Sequence, residues 1–175
     1  MKLTPTRLPG TFRIACARFE DTRGAFVKCF DATAFRSAGL NVSFEQMAVA
    51  ENRLRGTVRG MHYQAAPHEE IKIVRCTRGS IFDVLVDVRP DSETYGQWEA
   101  FTLSALVDEE LYVAPGIAHG YQTLEDDTVV EYLISAPFVE ALQRGIHWKS
   151  PRLKIAWPLD VTSISPRDDA FEAFE

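Results

Sequence analysis

Short stretches in which apolar and polar residues alternate dominate the pattern along the chain. Turn sequences separate them, such as Asp21-Thr22-Arg23-Gly24 and Arg78-Gly79-Ser80, because Gly, Asp and Ser favour tight turns. Ten stretches fit β-strands, at residues 11–19, 25–30, 43–50, 57–64, 71–76, 80–88, 97–104, 110–116, 119–125 and 128–136. Many short strands at this spacing predict an all-β sandwich or barrel.

Helical patterns are confined to three short segments, at residues 31–39, 139–145 and 167–174. In the first, Asp31 suits an N-cap and Gly39 a stop signal, and the second ends at Gly145. The sequence therefore predicts a few short helices at the periphery of the β-structure.

The side-chain period within the strands predicts which residues face inward. In the stretch 80–88 the even positions from Phe82 to Val88 are apolar, whereas Asp83 and Asp87 fall on odd positions, which predicts one buried face. Lys72 shares its parity with the apolar Val74, so we expect it to point inward despite its charge. Tyr132 likewise shares its parity with apolar residues of the stretch 128–136, so we expect its phenol to point into the barrel.

The stretch Thr57–Gln64 presents a difficulty of the same kind. Arg59 and His62 are three residues apart, so they should face opposite sides of a regular strand. Gly60 lies between them, and a bulge at this glycine would bring both side chains to one face.

Length and composition indicate one ordinary domain over residues 1–175. The chain has 46% apolar residues and contains no linker or internal repeat. A net charge of −6 argues against a broad nucleic-acid surface but leaves room for a local anion site. No apolar run reaches the roughly 18 residues of a membrane span and no apolar leader opens the sequence, so we expect a cytoplasmic protein without membrane partners.

Three cysteines, Cys16, Cys29 and Cys76, are odd in number and widely spaced, so a disulfide framework is not indicated. They show no CxxC pattern, so a structural metal is not indicated either. A reducing compartment is the expectation.

A second polar cluster follows Pro115-Gly116, where His119 begins a new strand. Proline, glycine and a following histidine are typical of the second motif of a cupin, a double-stranded β-helix. Metal-binding cupins also need a His-x-His pair and a glutamate in their first motif, whereas this chain has His62-Tyr63-Gln64. We therefore expect no catalytic metal. Residues that could in principle complete a metal site lie on a predicted turn: His68, Glu69 and Glu70.

Several motifs in order resemble those of the dTDP-4-dehydrorhamnose 3,5-epimerase family. They are "RGMHYQ", "KIVRCTRGSIFDVLVDVRPDSETYGQW", "LYVAPGIAHGYQTLEDDTVVEY", "RGIHW" and "WPLDVTSISPRD", and the resemblance runs from Arg23 to Asp168. It implies a jelly-roll cupin that needs no metal or other cofactor and dimerises through exchanged N-terminal strands. The implied activity inverts carbons beside the ketone of a nucleotide-linked 4-keto-6-deoxyhexose.

Such chemistry needs a base, a group that stabilises an enolate, and an acid on the opposite face. The resemblance implies that His62 is the base and that Asp168 pairs with it. Lys72 matches the cation at the enolate oxygen, and Tyr132 matches the acid that returns a proton from the other side.

The resemblance also implies a set of substrate-binding residues. Arg59 matches a ligand of the diphosphate, for which its planar fork is suited, and His119 matches a sugar-binding position. Arg23 and Phe26 match residues that reach into the neighbouring subunit's site. Gln46 matches a further substrate-binding position.

Three positions depart from the family pattern. Phe138 stands where many members have a second tyrosine, and we count it among the substrate-binding positions. Lys28 replaces a usual glutamate, and Ala48 replaces a common asparagine. These changes leave open the hexose, the nucleotide base and whether C3, C5 or both are inverted; the sequence does not identify the pathway.

Three alternative functions remain open. A metal-dependent cupin enzyme would need His62 and His119 to share an ion, and a sugar-nucleotide 3,4-ketoisomerase resembles a pattern with two close histidines on one strand. A sugar-nucleotide-binding protein without catalysis would keep Arg59 and tolerate loss of the pair His62 and Asp168.

Overall fold

The computed structural model describes residues 1–175 as strands with few short helices. Helix α1 spans Ala32–Ser37, helix α2 spans Pro166–Asp169, and a 3-10 turn covers Glu140–Leu142. The strands are β1 Lys2–Pro5, β2 Phe12–Ala15, β3 Ala17–Asp21, β4 Gly24–Lys28, β5 Gln46–Asn52, β6 Val58–Gln64, β7 Lys72–Arg78, β8 Ser80–Asp87, β9 Trp98–Ser104, β10 Glu109–Val113, β11 Ile117–Thr123, β12 Thr128–Ile134 and β13 Gln143–Gly145. None of the helices combines the length and the apolar character that a membrane-spanning helix needs.

Two antiparallel sheets form the two walls of a barrel. The six-stranded sheet has the order β1-β2-β10-β7-β12-β5, and the five-stranded sheet has the order β13-β6-β11-β8-β9. Apolar side chains from both sheets meet in one cluster between them, including Val74 and Leu111 from the first and Ile81 and Leu85 from the second. The predicted jelly-roll, a cupin-like double-stranded β-helix, is confirmed.

All ten predicted strand stretches contain strands, and the first of them holds two, β2 and β3. The segment 31–39 is helical as predicted, and the Asp31 carboxylate caps it by accepting the N–H groups of Thr33 and Ala34. The sequence pattern did not predict the strands β1 and β13. They are only four and three residues long and form by pairing with neighbouring strands.

Two helix predictions are corrected. Residues 139–145 form a single 3-10 turn and then β13, because Gln143 to Gly145 pair with β6 and complete the edge of the five-stranded sheet. The predicted helix at 167–174 ends at Asp169. Beyond it the chain lies against the barrel, where the side chain of Phe174 is buried.

The prediction of one buried face for β8 is wrong, since both faces are covered. Val84 and Val86 pack outside the barrel against Leu153 and Phe174 of the C-terminal segment. Asp83 and Asp87, on the other side, are fully buried. Two carboxylates inside a protein need specific partners, because an unpaired buried charge is costly.

Asp87 finds its partners close by in the chain. Its carboxylate accepts hydrogen bonds from Arg89, Ser92 and Thr94. Burial acts to raise the pKa of Asp87, but these hydrogen bonds outweigh it and lower the pKa to about 2. Asp87 is therefore a structural carboxylate.

A bulge in β6 brings Arg59 and His62 to one face, as predicted. His62 lies opposite His119 and Arg59 lies opposite Tyr121, so three residue steps on β6 match two on β11. His119 and Tyr121 share a face of β11, and Tyr121 belongs to the cluster inside the barrel. Arg59 and His62 therefore both lie on the barrel-facing side.

Gly60 is required at this bulge for two reasons. Its φ is +118°, which L side chains rarely adopt. A Cβ atom at this position would also lie 2.6 Å from the Cα of Gly120 on the neighbouring strand. The close approach of the two backbones is what keeps β6 paired across the extra residue.

We expect Gly60→Ala to lower the free energy of unfolding by about 3 kcal/mol or more, since it adds a backbone clash to an unfavourable φ. Gly24→Ala is the matched control, because Gly24 has a φ of +128° and no atom lies within 4 Å of the place its Cβ would take; it should cost about 1 kcal/mol. Urea unfolding of both variants measures the difference. Equal losses would contradict the close-approach argument.

Candidate active site

The predicted catalytic side chains lie on two facing walls of the barrel. His62 on β6 and His119 on β11 are opposite each other in register. Tyr132 on β12 and Lys72 on β7 belong to the other sheet, and the pairing of β12 with β7 places them as diagonal neighbours. The rings of His119 and Tyr132 meet edge to face, with centroids 6.0 Å apart. The two walls thus come into contact at these residues.

His62 is paired with Asp168, as the resemblance implied. Its Nε2 lies 2.8 Å from Oδ1 of Asp168, and Oδ2 of the same carboxylate accepts the backbone N–H of Gly60 at 3.0 Å. The N-cap side chain of Ser165 accepts the N–H of Asp168 at the start of α2. The short helix α2 therefore positions the Asp168 carboxylate beside β6, although the two elements are far apart in the sequence.

This environment keeps Asp168 ionised. Burial acts to raise the pKa of Asp168, but hydrogen bonds from His62 and from Gly60 hold that pKa below its ordinary value. A carboxylate at this distance favours the tautomer of His62 with a proton on Nε2. Nδ1 is then the imidazole nitrogen that is free to accept a proton.

His119 takes part in a second histidine–carboxylate pair. Its Nε2 lies 2.8 Å from Oδ2 of Asp83, and the two side chains are 4% and 0% exposed. The other oxygen, Oδ1 of Asp83, is buried without a hydrogen-bond partner in the protein. Asp83 was expected on a solvent face, and the one signal that could have found it is an acidic residue inside a strongly apolar strand.

Tyr132 points into the barrel, as its parity predicted, and packs against the apolar cluster there. Burial raises the pKa of Tyr132 well above its ordinary value, and the neighbouring Tyr121 and Asp83 raise it further. The phenol is therefore neutral at neutral pH and retains a proton to donate.

Lys72 is also directed inward and is only 11% exposed. Its Nζ lies 2.8 Å from Oε1 of Glu70, whose side chain is almost equally buried. The sequence suggested Glu70 only as a conceivable metal ligand. In the structure it balances the charge of the inward lysine.

Arg59 is exposed on the strand that carries His62. Its Nε donates to Oδ1 of Asn52 at 2.7 Å, and Nη2 donates to the carbonyl of Glu51 at 3.1 Å. Asn52 also accepts the hydroxyl of Tyr121 at 3.2 Å. The guanidinium is thus held from one side.

Gln46 and Phe138 meet at one loop beside the barrel. The amide of Gln46 donates to the carbonyl of Ala136 at 2.6 Å. The buried Gln64 holds the same loop, since its amide donates to the carbonyl of Pro137 and accepts the N–H of Val139. Phe138 is thereby presented with 60% of its surface exposed.

Arg23 and Phe26 lie away from this group within the chain. Both belong to the hairpin of β3 and β4, which pairs with no other strand. Arg23 is exposed and pairs with Asp21 at 2.6 Å, and Phe26 is 67% exposed. The single chain does not bring these two side chains to His62.

Two surface grooves, of about 530 and 670 Å³, lie elsewhere and share Tyr63 and Val88 in their walls. Neither contains His62, His119 or Tyr132. The candidate site is therefore marked by its convergent polar groups and not by groove size.

Comparisons with known proteins identify the family of this chain. Residues 5–175 match the family model for dTDP-4-dehydrorhamnose 3,5-epimerase. A dTDP-4-dehydrorhamnose 3,5-epimerase of Sinorhizobium fredii is 40% identical over 153 residues, which cover 87% of this chain and 78% of that protein. A dTDP-4-dehydrorhamnose 3-epimerase of Streptomyces niveus is 35% identical over 169 residues, covering 96% and 81%.

A solved structure is similar over its whole length. The crystal structure of dTDP-4-dehydrorhamnose 3,5-epimerase from Bacillus anthracis, with TDP and PPi bound, matches with a TM-score of 0.94 and 32% identity. The match covers 99% of both chains. From these matches, the chain belongs to the dTDP-4-dehydrorhamnose 3,5-epimerase family.

Proposed function

We propose that the protein epimerises a nucleotide-linked 4-keto-6-deoxyhexose at C3, at C5 or at both, without a metal, in deoxysugar biosynthesis. The observation that carries this proposal is the His62–Asp168 pair on one wall of the barrel with the neutral Tyr132 on the other. A base and an acid on opposite sides are what inversion of a carbon requires.

The first step is removal of a proton from the carbon beside the ketone. Nδ1 of His62 accepts it, and the imidazolium that forms is stabilised by Asp168, which stays ionised. The electron pair of the broken C–H bond moves into the enolate, whose oxygen needs a cation or donor. Lys72 supplies that charge from the facing wall.

The second step is reprotonation from the other side. The hydroxyl of Tyr132 gives its proton to the carbon face opposite His62, and the enolate returns to a ketone with inverted configuration. A phenol is suited to this step because its raised pKa keeps it protonated until the enolate is present.

Nucleotide binding is assigned to residues around the barrel mouth. The Bacillus anthracis relative holds TDP and PPi, which supports a nucleoside diphosphate as one part of the substrate. Arg59 is exposed beside His62 and offers its free guanidinium edge to the diphosphate. Sugar binding is assigned to His119, whose ring is oriented by Asp83.

The positions that differ from the family pattern would determine which nucleotide base is bound and how many carbons are inverted. Phe138 cannot hydrogen-bond to the sugar as a tyrosine would, and Lys28, which stands where a glutamate is usual, pairs with Asp31 at 3.1 Å. The Streptomyces niveus relative is named as a 3-epimerase, so single inversion occurs in the family.

The alternatives fit the contacts less well. The Nε2 atoms of His62 and His119 each face a carboxylate, and both ends of the Gln64 amide are hydrogen-bonded within the chain. A shared metal ion would have to displace these contacts. A 3,4-ketoisomerase resembles a pattern with a second histidine at the place of Gln64, and a binding protein has no need of the His62–Asp168 pair.

We also propose that the protein acts as a homodimer in the cytoplasm. Its three cysteines are free thiols, which suits a reducing compartment. Phe19 and Phe26 of the hairpin, and Met47 and Val49 of β5, are each more than half exposed. β5 is also an edge strand with one side unpaired, and such edges and apolar surfaces are covered in most proteins. A second copy would cover them and would place Arg23 and Phe26 at its neighbour's site.

The roles of base and acid are separated by two variants. His62→Ala should abolish both solvent deuterium uptake and inversion. Tyr132→Phe keeps the ring's packing and removes the hydroxyl, so it should lower inversion roughly 10²–10⁴-fold while deuterium uptake continues. Both are measured by proton NMR with a dTDP-linked 4-keto-6-deoxyhexose. Inversion by Tyr132→Phe near the wild-type rate would refute Tyr132 as the acid.

The dimer is tested by a charge on the exposed face of β5. Met47→Glu should halve the molar mass in solution, because a buried unpaired carboxylate disfavours association. Leu106→Glu is the control, since Leu106 is 95% exposed on a loop away from β5. Light scattering after size exclusion measures both masses. A wild-type monomer, or a Met47→Glu dimer of unchanged stability, would count against the proposal.

A further inference from the structure

Two cysteines and a glutamate converge where the β3–β4 hairpin joins the barrel. Ala17 lies opposite Lys28 in the hairpin, so Cys16 and Cys29 occupy the next opposing positions. Glu110 reaches them from β10 of the six-stranded sheet. The two Sγ atoms and a carboxylate oxygen all lie within 4.8 Å of one another.

This spacing is close to that of a tetrahedral metal site. Zn–S bonds of about 2.3 Å and Zn–O bonds of about 2.0–2.2 Å place neighbouring ligand atoms roughly 3.6–3.8 Å apart. Small rotations of the side chains would bring the three atoms to that distance. Cys16 and Cys29 are half-buried and Glu110 is buried, so the ligands are sheltered from bulk water.

The surroundings also balance the charge of such a site. Two thiolates, one carboxylate and a divalent ion together carry a charge of −1. The guanidinium of Arg75 contacts Sγ of Cys29 and supplies the compensating positive charge. Binding of a metal ion by the two thiols would release their two protons to solvent.

A small cavity provides the fourth coordination position. It has a volume of about 220 Å³, and its walls include Cys29, Arg75 and Glu110. That is ample for a water molecule. The set therefore offers three protein ligands and room for one solvent ligand.

We propose that Cys16, Cys29 and Glu110 bind a thiophilic divalent cation of the Zn²⁺ class, which fastens the base of the β3–β4 hairpin to the barrel. The hairpin pairs with no other strand, so a cross-link at its base limits its movement relative to β10. The ion would have a structural role, and its binding does not depend on the proposed epimerase activity.

Co²⁺ is the probe, because thiolate ligands give it sulfur-to-cobalt charge-transfer absorption. Metal-free protein kept reduced with a phosphine should bind one equivalent with that absorption, and Zn²⁺ should displace it and raise the unfolding temperature. Cys16→Ser and Cys29→Ser should lose the charge-transfer band, and Glu110→Gln should weaken binding roughly tenfold or more. Cys76→Ala is the matched control, since Cys76 is buried inside the barrel.

Three results would overturn the proposal. They are the absence of a thiolate–Co²⁺ band in the folded wild-type protein, a band that persists in Cys16→Ser and Cys29→Ser, and a Glu110→Gln variant with undiminished affinity. Glu110→Gln leaves both thiols in place, so the test does not depend on the cysteine variants alone. Deuterium uptake into the sugar is measured separately, so failure of the metal site leaves the proposed catalysis untouched.

Discussion

Two hydrogen bonds to one carboxylate hold the candidate site together. One oxygen of Asp168 accepts a hydrogen bond from Nε2 of His62, and the other accepts a hydrogen bond from the N–H of Gly60. The second bond satisfies a backbone donor at the bulge, where regular strand pairing is interrupted. The same residue therefore orients the histidine and stabilises the backbone irregularity that turns the histidine inward.

The barrel divides the proposed chemistry between its two sheets. His62 and His119 lie on the five-stranded sheet, each with a buried carboxylate, whereas Tyr132 and Lys72 lie on the six-stranded sheet. The first wall is suited to accept a proton and the second to stabilise an enolate and return a proton. Inversion, rather than simple exchange, follows from this separation because the two proton transfers start from opposite sides.

Local pattern was sufficient for most of the fold. The period of two predicted the ten strand stretches and the inward directions of Lys72 and Tyr132, and Gly60 marked the bulge. The period of two failed for Asp83 and Asp87. The C-terminal segment covers the opposite face of β8, so both faces are buried, and the sequence of β8 alone does not predict this second contact. Local pattern also failed at 139–145, where pairing with β6 overrides helical propensity.

The site was less accessible to pattern alone. Asp168 is 106 residues from His62, so only the family resemblance connected the two, and Glu70 and Asp83 went unnoticed as partners of Lys72 and His119. Cys16 and Cys29 are thirteen positions apart, a spacing without a metal motif, yet a hairpin places them side by side. Tertiary contacts of this kind have no local signature.

The central claim is that the protein removes a proton from a carbon beside the sugar ketone and inverts that carbon, and the most direct test is proton NMR of the wild-type protein in deuterium oxide. With a dTDP-linked 4-keto-6-deoxyhexose, we expect one deuterium at each inverted carbon, at C3, C5 or both, while the ketone stays at C4. Unlabelled substrate, or a ketone that migrates to C3, would contradict the account.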